Sequence, residues 1–317
     1  MPDARAFFTP YYADGFVRFL AKAGFLNASI LGGRHRRETM DYLKKNHLTL
    51  DIRGKQRDYD LVVTCSDLII QNNIRSKRIV LVQEGITEPE GIAFQLVKHL
   101  RLPLYLANTA ATGLSDAYQN FCVASEGYKE LFIKKGADPE KIVVTGIPNF
   151  DDLEKLRDND FPFHDYVLVA TSPLREIGQF DYRPGFIKHC LEIADGRQLI
   201  FKLHPMEKAR RAWREIHKLT PDAKVMLHGN TDHMIANAAV VITQRSTCTF
   251  VALALDKEVH SYLDLDTLET LMPLQNGGIS AMNIAAVCQH VLERPAPQPV
   301  ENHTATITFW VWISSQI

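Results

Sequence analysis

The sequence predicts an α/β protein made of two Rossmann-like domains that face each other across a cleft. Three observations carry this expectation. Short apolar runs alternate with helix-patterned segments along most of the 317 residues. One stretch, residues 151–165, breaks the alternation with a dense run of charge and a proline, as a connection between domains would. Two apolar runs of the second half, within residues 199–205 and 239–247, end in polar turns. Strands of a parallel sheet end in this way where they line a ligand crevice. The expected division is a first domain at residues 1–150, a connection at 151–165, a second domain at 166–294 and a tail at 295–317.

Taken in order, the first half offers strands at residues 61–64, 79–83, 104–107, 117–123 and 142–146. Between the last two lies a helix over residues 125–135. Ser125 can cap it, Tyr128, Leu131 and Phe132 share one face, and Gly136 can end it. The second half offers strands at residues 166–171, 198–204, 224–227, 239–243 and 259–262, and a helix at 280–292 opened by Ser280. Residues 208–218 form a basic helix. A solvated face explains it, and an anionic membrane or polymer surface is the alternative. Residues 306–313 are apolar but too short to span a bilayer. An added edge strand, a surface anchor and a sequence foreign to the domain all fit that tail.

Composition narrows the class. A hydrophobic content of 46% with 23% charged residues is that of a soluble globular protein. A net charge of −1 provides no global field to recruit nucleic acid or a membrane. The opening residues Met1 to Ala6 carry no charged leader before an apolar region, so no signal peptide is expected. The expected location is cytoplasmic, with the inner face of the membrane as an option. The five cysteines are scattered and lack CxxC spacing, which fits reduced thiols and argues against a zinc site.

Several side chains stand where chemistry is expected. His204 ends an apolar run and precedes Pro205, and Lys202 lies two residues earlier on the same strand face. His204 can stabilise developing charge; the alternative is a turn histidine bonded to nearby backbone. Arg245, Ser246 and Thr247 open the segment after another strand, where free N–H groups and a cation suit an anion. Plain helix capping also explains the Ser-Thr pair. Arg175 follows the first strand of the second half and can add a cation or stay solvated. Asp67, Glu84 and Glu126 each follow a strand of the first half, the position for a general acid or base. Glu126 can instead simply favour the positive end of its helix. Gly15 and Gly146 read as backbone devices.

These residues also sit in recognisable surroundings. Residues 124–153 run from Ala124-Ser-Glu-Gly-Tyr through Gly136-Ala-Asp-Pro-Glu-Lys-Ile to Thr145-Gly-Ile-Pro-Asn149. With Asp60-Leu-Val-Val-Thr-Cys-Ser-Asp67, Val82-Gln-Glu-Gly85, Lys202-Leu-His-Pro205 and Ala252-Leu-Ala-Leu-Asp-Lys257, this stretch resembles the GT-B glycosyltransferase superfamily. Within it the likeness is to the non-hydrolysing UDP-N-acetylglucosamine 2-epimerases and their glycosyltransferase relatives. It spans most of residues 57–260. Two features depart from the epimerases. Phe250 and Val251 stand where a ribose-holding carboxylate belongs, and Thr9 to Gly15 replaces an Arg-Pro signature.

The resemblance implies a donor-binding second domain and an acceptor-binding, catalytic first domain. It implies transfer of a glycosyl or similar group from a nucleotide-activated donor, UDP-linked as one option. The acceptor would be a glycan or lipid-linked molecule in surface polysaccharide or glycolipid synthesis. Arg245, Ser246 and Thr247, with Lys202 and Arg175, would hold the diphosphate. His204 would stabilise departing charge, and one of Asp67, Glu84 and Glu126 would activate the acceptor. No metal and no cofactor beyond the nucleotide-sugar co-substrate is implied. Peripheral membrane contact is an option, no nucleic-acid partner is expected, and the oligomeric state is open. A nucleotide-sugar 2-epimerase and a catalytically degenerate binding module are the rival readings.

Overall fold

A computed structural model describes residues 4–24, 26, 31–87, 89–294 and 306–309. They fall into two compact units. One is Asp152–Gln275, and the other is the chain on either side of it.

The first unit opens with β1 (Arg5–Phe8), β2 (Leu61–Thr64), β3 (Arg78–Val82), β4 (Asn120–Val123) and β5 (Ile142–Val144). β2 reads Leu-Val-Val-Thr and is buried at every position. Such unbroken β-branched runs mark strands covered on both faces of a parallel sheet. The helix after β4, Glu126–Lys135, is bounded as expected. Ser125 accepts from the Tyr128 amide at 3.3 Å, and Gly136 closes the helix at φ +115°. Residues 104–107 differ from expectation. They belong to a 3-10 helix, Leu104–Ala111, kinked at Asn108, rather than to a strand. Pro103 precedes it and its alanines pack beneath the helix Ile92–Leu100, so tertiary packing overrides a short apolar run that periodicity cannot classify.

The second unit contains β6 (Tyr166–Ala170), β7 (Leu199–Lys202), β8 (Lys224–Met226), β9 (Ala238–Thr243) and β10 (Glu258–His260). Every pair is parallel, in the order β8-β7-β6-β9-β10. The chain therefore starts in the middle, builds outward to β8, then returns and builds the other way. This is the strand order of the first five strands of a Rossmann sheet. Its core brings Val167, Val169, Phe201, Val240 and Ile242 against Phe186, Ile187, Ala212 and Ile216 of the covering helices.

The charged stretch expected as a connection packs on the second unit. Its 3-10 helix Glu154–Arg157 lets Arg157 donate to the Leu255 carbonyl at 3.2 Å, and Asn159 accepts from Asn237 at 2.7 Å. The helix Ser280–Glu293, expected in the second domain, groups with the first unit. Its first amide, at Ser280, donates to Asp151 at 3.0 Å, and Asn276 and Asn283 both reach the Thr145 carbonyl. Gly146 makes that approach possible. It sits at φ +73°, and a Cβ there would collide with Ser280 and Asn276. Ser280 is thus the first helical residue, and Ile279 holds the cap position.

The last of the described segments is β11 (Thr306–Phe309). It is not an edge strand. It lies parallel between β1 and β2, giving the first sheet the order β1-β11-β2-β3-β4-β5. No helix among the described residues is long and apolar enough to cross a membrane.

Candidate active site

In the second unit the strand order reverses between β6 and β9, so the loops after these strands flank the switch point. The loop after β6 is Thr171-Ser172, and the loop after β9 is Gln244 to Thr247. Ser172 joins them. Its hydroxyl accepts from the Arg245 amide and donates to the Arg245 carbonyl, each at 3.2 Å, while its amide reaches Gln244 at 3.4 Å. The Arg245 side chain is exposed. Ser246 accepts from the Cys248 amide at 3.2 Å, so it caps the short helix Cys248–Ala254, where Thr247 holds the formal N-cap position. Phe250 and Val251 are buried in that helix. A cavity of about 210 Å³ opens beside β9 and β10, with Thr243, His260, Tyr262 and Phe186 among its walls.

β7 neighbours β6, and its loop carries His204. The imidazole Nδ1 accepts from the Met206 amide at 3.1 Å. With Nδ1 accepting, Nε2 is the nitrogen of the ring that can donate. Lys202 is buried, and its ammonium donates to the carbonyls of Leu203 and Leu227 at 3.2 and 3.3 Å. Burial lowers its pKa. Arg175 is also spent locally. Its two terminal nitrogens grip Glu215 at 2.8 Å each, and Nε lies 3.4 Å from Asp181. A bidentate carboxylate fills the guanidinium fork, so Arg175 and Lys202 are engaged inside the unit rather than presented to a ligand.

Beneath these loops lies a buried ionic network that the sequence analysis missed. Arg183 donates to Asp181 at 2.9 Å and to Glu207 at 2.7 Å, and all three side chains are 1% exposed. Glu207 also accepts from the Thr171 hydroxyl and, at 3.0 Å, from the His204 amide. Asp181 accepts from Gln244 at 3.1 Å. Burial raises the pKa of Glu207, and the Arg183 charge opposes that shift. The network thus touches the loops after β6, β7 and β9 together. Arg183 and Glu207 look like ordinary solvated charges in the sequence, and only their burial distinguishes them.

In the first unit, Asp67, Glu84 and Glu126 follow β2, β3 and β4, three neighbouring parallel strands, and so lie along one sheet edge. Their surroundings differ. Asp67 is buried. It accepts from the Gly113 amide at 3.0 and 3.1 Å and from the Ser115 amide at 3.0 Å. Burial raises its pKa and these hydrogen bonds oppose the rise. It acts as a brace for the 113–115 loop. Glu126 is exposed in the first turn of its helix. Glu84 is partly exposed, and burial of its carboxyl pushes its pKa up to about 8. Cys65 lies close enough to feel its charge, although burial is the main cause that raises that thiol to about 12.

The Thr9 to Gly15 segment is pinned beside this edge. Tyr11 donates to the Ile69 carbonyl at 2.9 Å, Tyr12 to Asn73 at 2.6 Å, and Asp14 pairs with Arg53 at 2.9 Å. Gly15 starts the next helix at φ +56° with open space around its Cβ position.

Known structures resemble this chain along most of its length. A Listeria monocytogenes protein assigned as a UDP-N-acetylglucosamine 2-epimerase superposes with a TM-score of 0.58 at 13% identity, covering 94% of this chain and 99% of its own. The Neisseria meningitidis UDP-GlcNAc 2-epimerase bound to UDP-GlcNAc gives 0.54 at 12% identity, covering 91% and 100%. The S. aureus MnaA–UDP structure gives 0.53 at 14%, covering 92% and 88%. The chain has the fold of these epimerases. That fold is α/β with two Rossmann-like units of the GT-B class, as the motif resemblance implied. No family model matches the chain, and no curated protein matches it.

Proposed function

We propose that this protein transfers a glycosyl or similar group from a nucleotide-activated donor to an acceptor hydroxyl. The observation that carries the reading is the switch point of the second unit. The Arg245-Ser246-Thr247 turn lies at the one place in the sheet where the strand order reverses, and the His204 loop follows β7, on the other side of β6. Ligands of open α/β sheets bind outside the strand ends at such a point.

In this reading Ser246, Thr247 and the exposed Arg245 hold the diphosphate. His204, donating from Nε2, stabilises the charge that builds as the nucleoside diphosphate departs. Glu84 is the candidate base for the acceptor hydroxyl. Among the three carboxylates it alone combines partial exposure with a pKa near the range of a working base. The donor belongs to the second unit and the acceptor, a glycan or lipid-linked hydroxyl, to the first. The buried Phe250 and Val251 count against ribose recognition of the epimerase kind. Epimerisation of a nucleotide sugar is the second reading, favoured by three carboxylates after adjacent strands.

Thermal-shift measurements with UDP, CDP, GDP and UDP-N-acetylglucosamine test the donor site. A ligand at 100 times its Kd stabilises by about 2.7 kcal/mol. The Ser246→Ala/Thr247→Ala double variant is expected to weaken that ligand by about 1–3 kcal/mol. Equal affinity in a folded double variant removes the anion site. Glu84→Gln and His204→Ala are each expected to lower turnover ~10²-fold, with wild-type turnover rising as pH approaches 8. Conversion of UDP-N-acetylglucosamine to its 2-epimer without acceptor selects the second reading. Failure to bind any nucleotide leaves a glycan-binding module.

A further inference from the structure

The turn that carries Glu84 is fastened by the residue before it. β3 and β4 pair as strands as far as Val82 and Cys122. The Gln83 amide adds one more rung, donating to the Cys122 carbonyl at 2.8 Å. From there the Gln83 side chain, 2% exposed, takes over. Its Oε1 accepts from the Ala124 amide and its Nε2 donates to the Gly85 carbonyl, each at 2.9 Å. Glu84 is thereby bracketed. The residue before it sits on the ladder, and the carbonyl of the residue after it is held by a buried amide.

The far end of the same loop is tied to the same neighbouring segment. Lys135 ends the helix Glu126–Lys135 and is buried. Its ammonium donates to the Thr87 hydroxyl at 3.3 Å and to the Ala110 carbonyl at 3.2 Å. Ala124 lies just before that helix, so residues 83–87 are anchored at both of its ends. These anchors hold backbone and the Thr87 side chain, and burial is what shifts the Glu84 carboxyl itself.

Few side chains can do what position 83 requires. One group must accept from Ala124 and donate to Gly85 at the same time, beside a carboxyl that gains and loses a proton. A primary amide does both and does not ionise. An ionised carboxylate only accepts, and an ammonium or guanidinium only donates. The titratable groups of the flanking segments leave this task to Gln83. Burial raises the Cys65 thiol to about 12, the Lys135 ammonium is engaged with Thr87 and Ala110, and Glu126 is exposed beyond Ala124.

We propose that Gln83 is the positioning residue of Glu84, holding the turn so that the carboxyl stays half-sheltered at the sheet edge. The inference rests on the reading of Glu84 as the base, and it names what keeps that base in place.

Carbon-13 NMR of the full chain with labelled glutamate carboxyls follows the titration directly. The resonance missing in Glu84→Gln identifies Glu84, which in the wild type is expected to titrate near about pH 8. Gln83→Met keeps the length of the side chain and makes neither bond. The turn then opens to water, and the Glu84 midpoint should fall by about one pH unit or more. A role confined to stability would lower the Tm and leave that midpoint where it was. Gln83→Glu serves if the methionine variant does not fold. Protonated, its carboxyl accepts and donates as the amide does; ionised, it only accepts and lets Gly85 go. Backbone amide exchange of residues 84–87, compared with wild type at the same pH, should therefore match at about pH 4. It should become about tenfold faster once the new carboxyl ionises, as followed in the same spectra. The proposal is overturned if Glu84 titrates in folded Gln83→Met as it does in the wild type, or if Gln83→Glu exchanges like the wild type in both protonation states. Turnover of Glu84→Gln is a separate measurement. Wild-type turnover there removes Glu84 as the base, while the titration and exchange results still decide whether Gln83 holds the turn.

Discussion

The strand ends of the two units are built on opposite plans. In the second unit the loops after β6, β7 and β9 are stitched to one another. Ser172 clasps Arg245, and Glu207, Arg183 and Asp181 form a buried chain beneath them. In the first unit the carboxylates after β2, β3 and β4 go separate ways: Asp67 is locked under backbone amides, Glu126 is exposed, and Glu84 is held by burial alone. A stitched edge suits a group that must not move, such as an anion site whose donors are fixed before the ligand arrives. A carboxyl perturbed by burial suits a group that must gain and lose a proton. In the proposed reading, the same kind of position serves rigidity in one unit and titration in the other.

The largest effect should come from breaking the stitched edge. Arg183→Leu leaves Asp181 and Glu207 buried without their cation. Losing one partner of a buried pair costs about 3–5 kcal/mol, so the denaturant midpoint should fall sharply. A midpoint near wild type would mean that the network is better solvated than its burial indicates, and the contrast between the two units would fail.

A smaller effect should separate Asp67 from Glu84. Asp67→Asn turns an amide toward the Gly113 and Ser115 N–H groups, which need an acceptor. The expected loss is about 1–3 kcal/mol, the cost of a buried donor left unsatisfied, with no selective loss of turnover once the folded fraction is corrected. If turnover instead drops ~10²-fold at unchanged stability, Asp67 is the catalytic base and the roles of the two carboxylates exchange.

How much of this was legible in sequence depends on which force fixed each feature. The helix Glu126–Lys135 was readable because its cap and its terminator are local signals, Ser125 and Gly136. Polar residues ending apolar runs marked the His204 and Arg245 turns for the same reason. Residues 104–107 misled because a four-residue apolar run carries no period, and packing against Phe94 and Val97 decided it. The helix Ser280–Glu293 was assigned to the wrong neighbour because sequence order says nothing about where a chain returns. The fit of Gly146 against Ser280 and Asn276, with the bonds from Ser280 to Asp151 and from Asn283 to Thr145, shows it. Arg175 and Lys202 were plausible phosphate ligands by spacing, but their partners Glu215 and the Leu227 carbonyl are 40 and 25 residues away. The buried charges Asp181, Arg183 and Glu207 were invisible because composition cannot tell a paired interior charge from a solvated one.

The mildest test concerns Glu84 and asks whether burial alone perturbs it. Its ordinary value is 4.5 and burial raises it to about 8 in the folded protein. Between those values the folded protein keeps a proton that the unfolded chain has released. Raising the pH across that window therefore favours unfolding, and the cost is fully present above pH 8. A glutamine side chain cannot ionise, so Glu84→Gln should match wild type near pH 4.5 and become the more stable protein as pH rises. Partial exposure screens the charge, so the difference is expected to fall short of what the full shift implies. Melting temperatures of both proteins at half-unit steps from about pH 4.5 to 8.5 give the comparison. Parallel profiles would mean that Glu84 ionises as freely as an exposed carboxylate. Burial would then not tune Glu84, and the base would have to be sought at Asp67, at Glu126 or in the Thr9 to Gly15 loop.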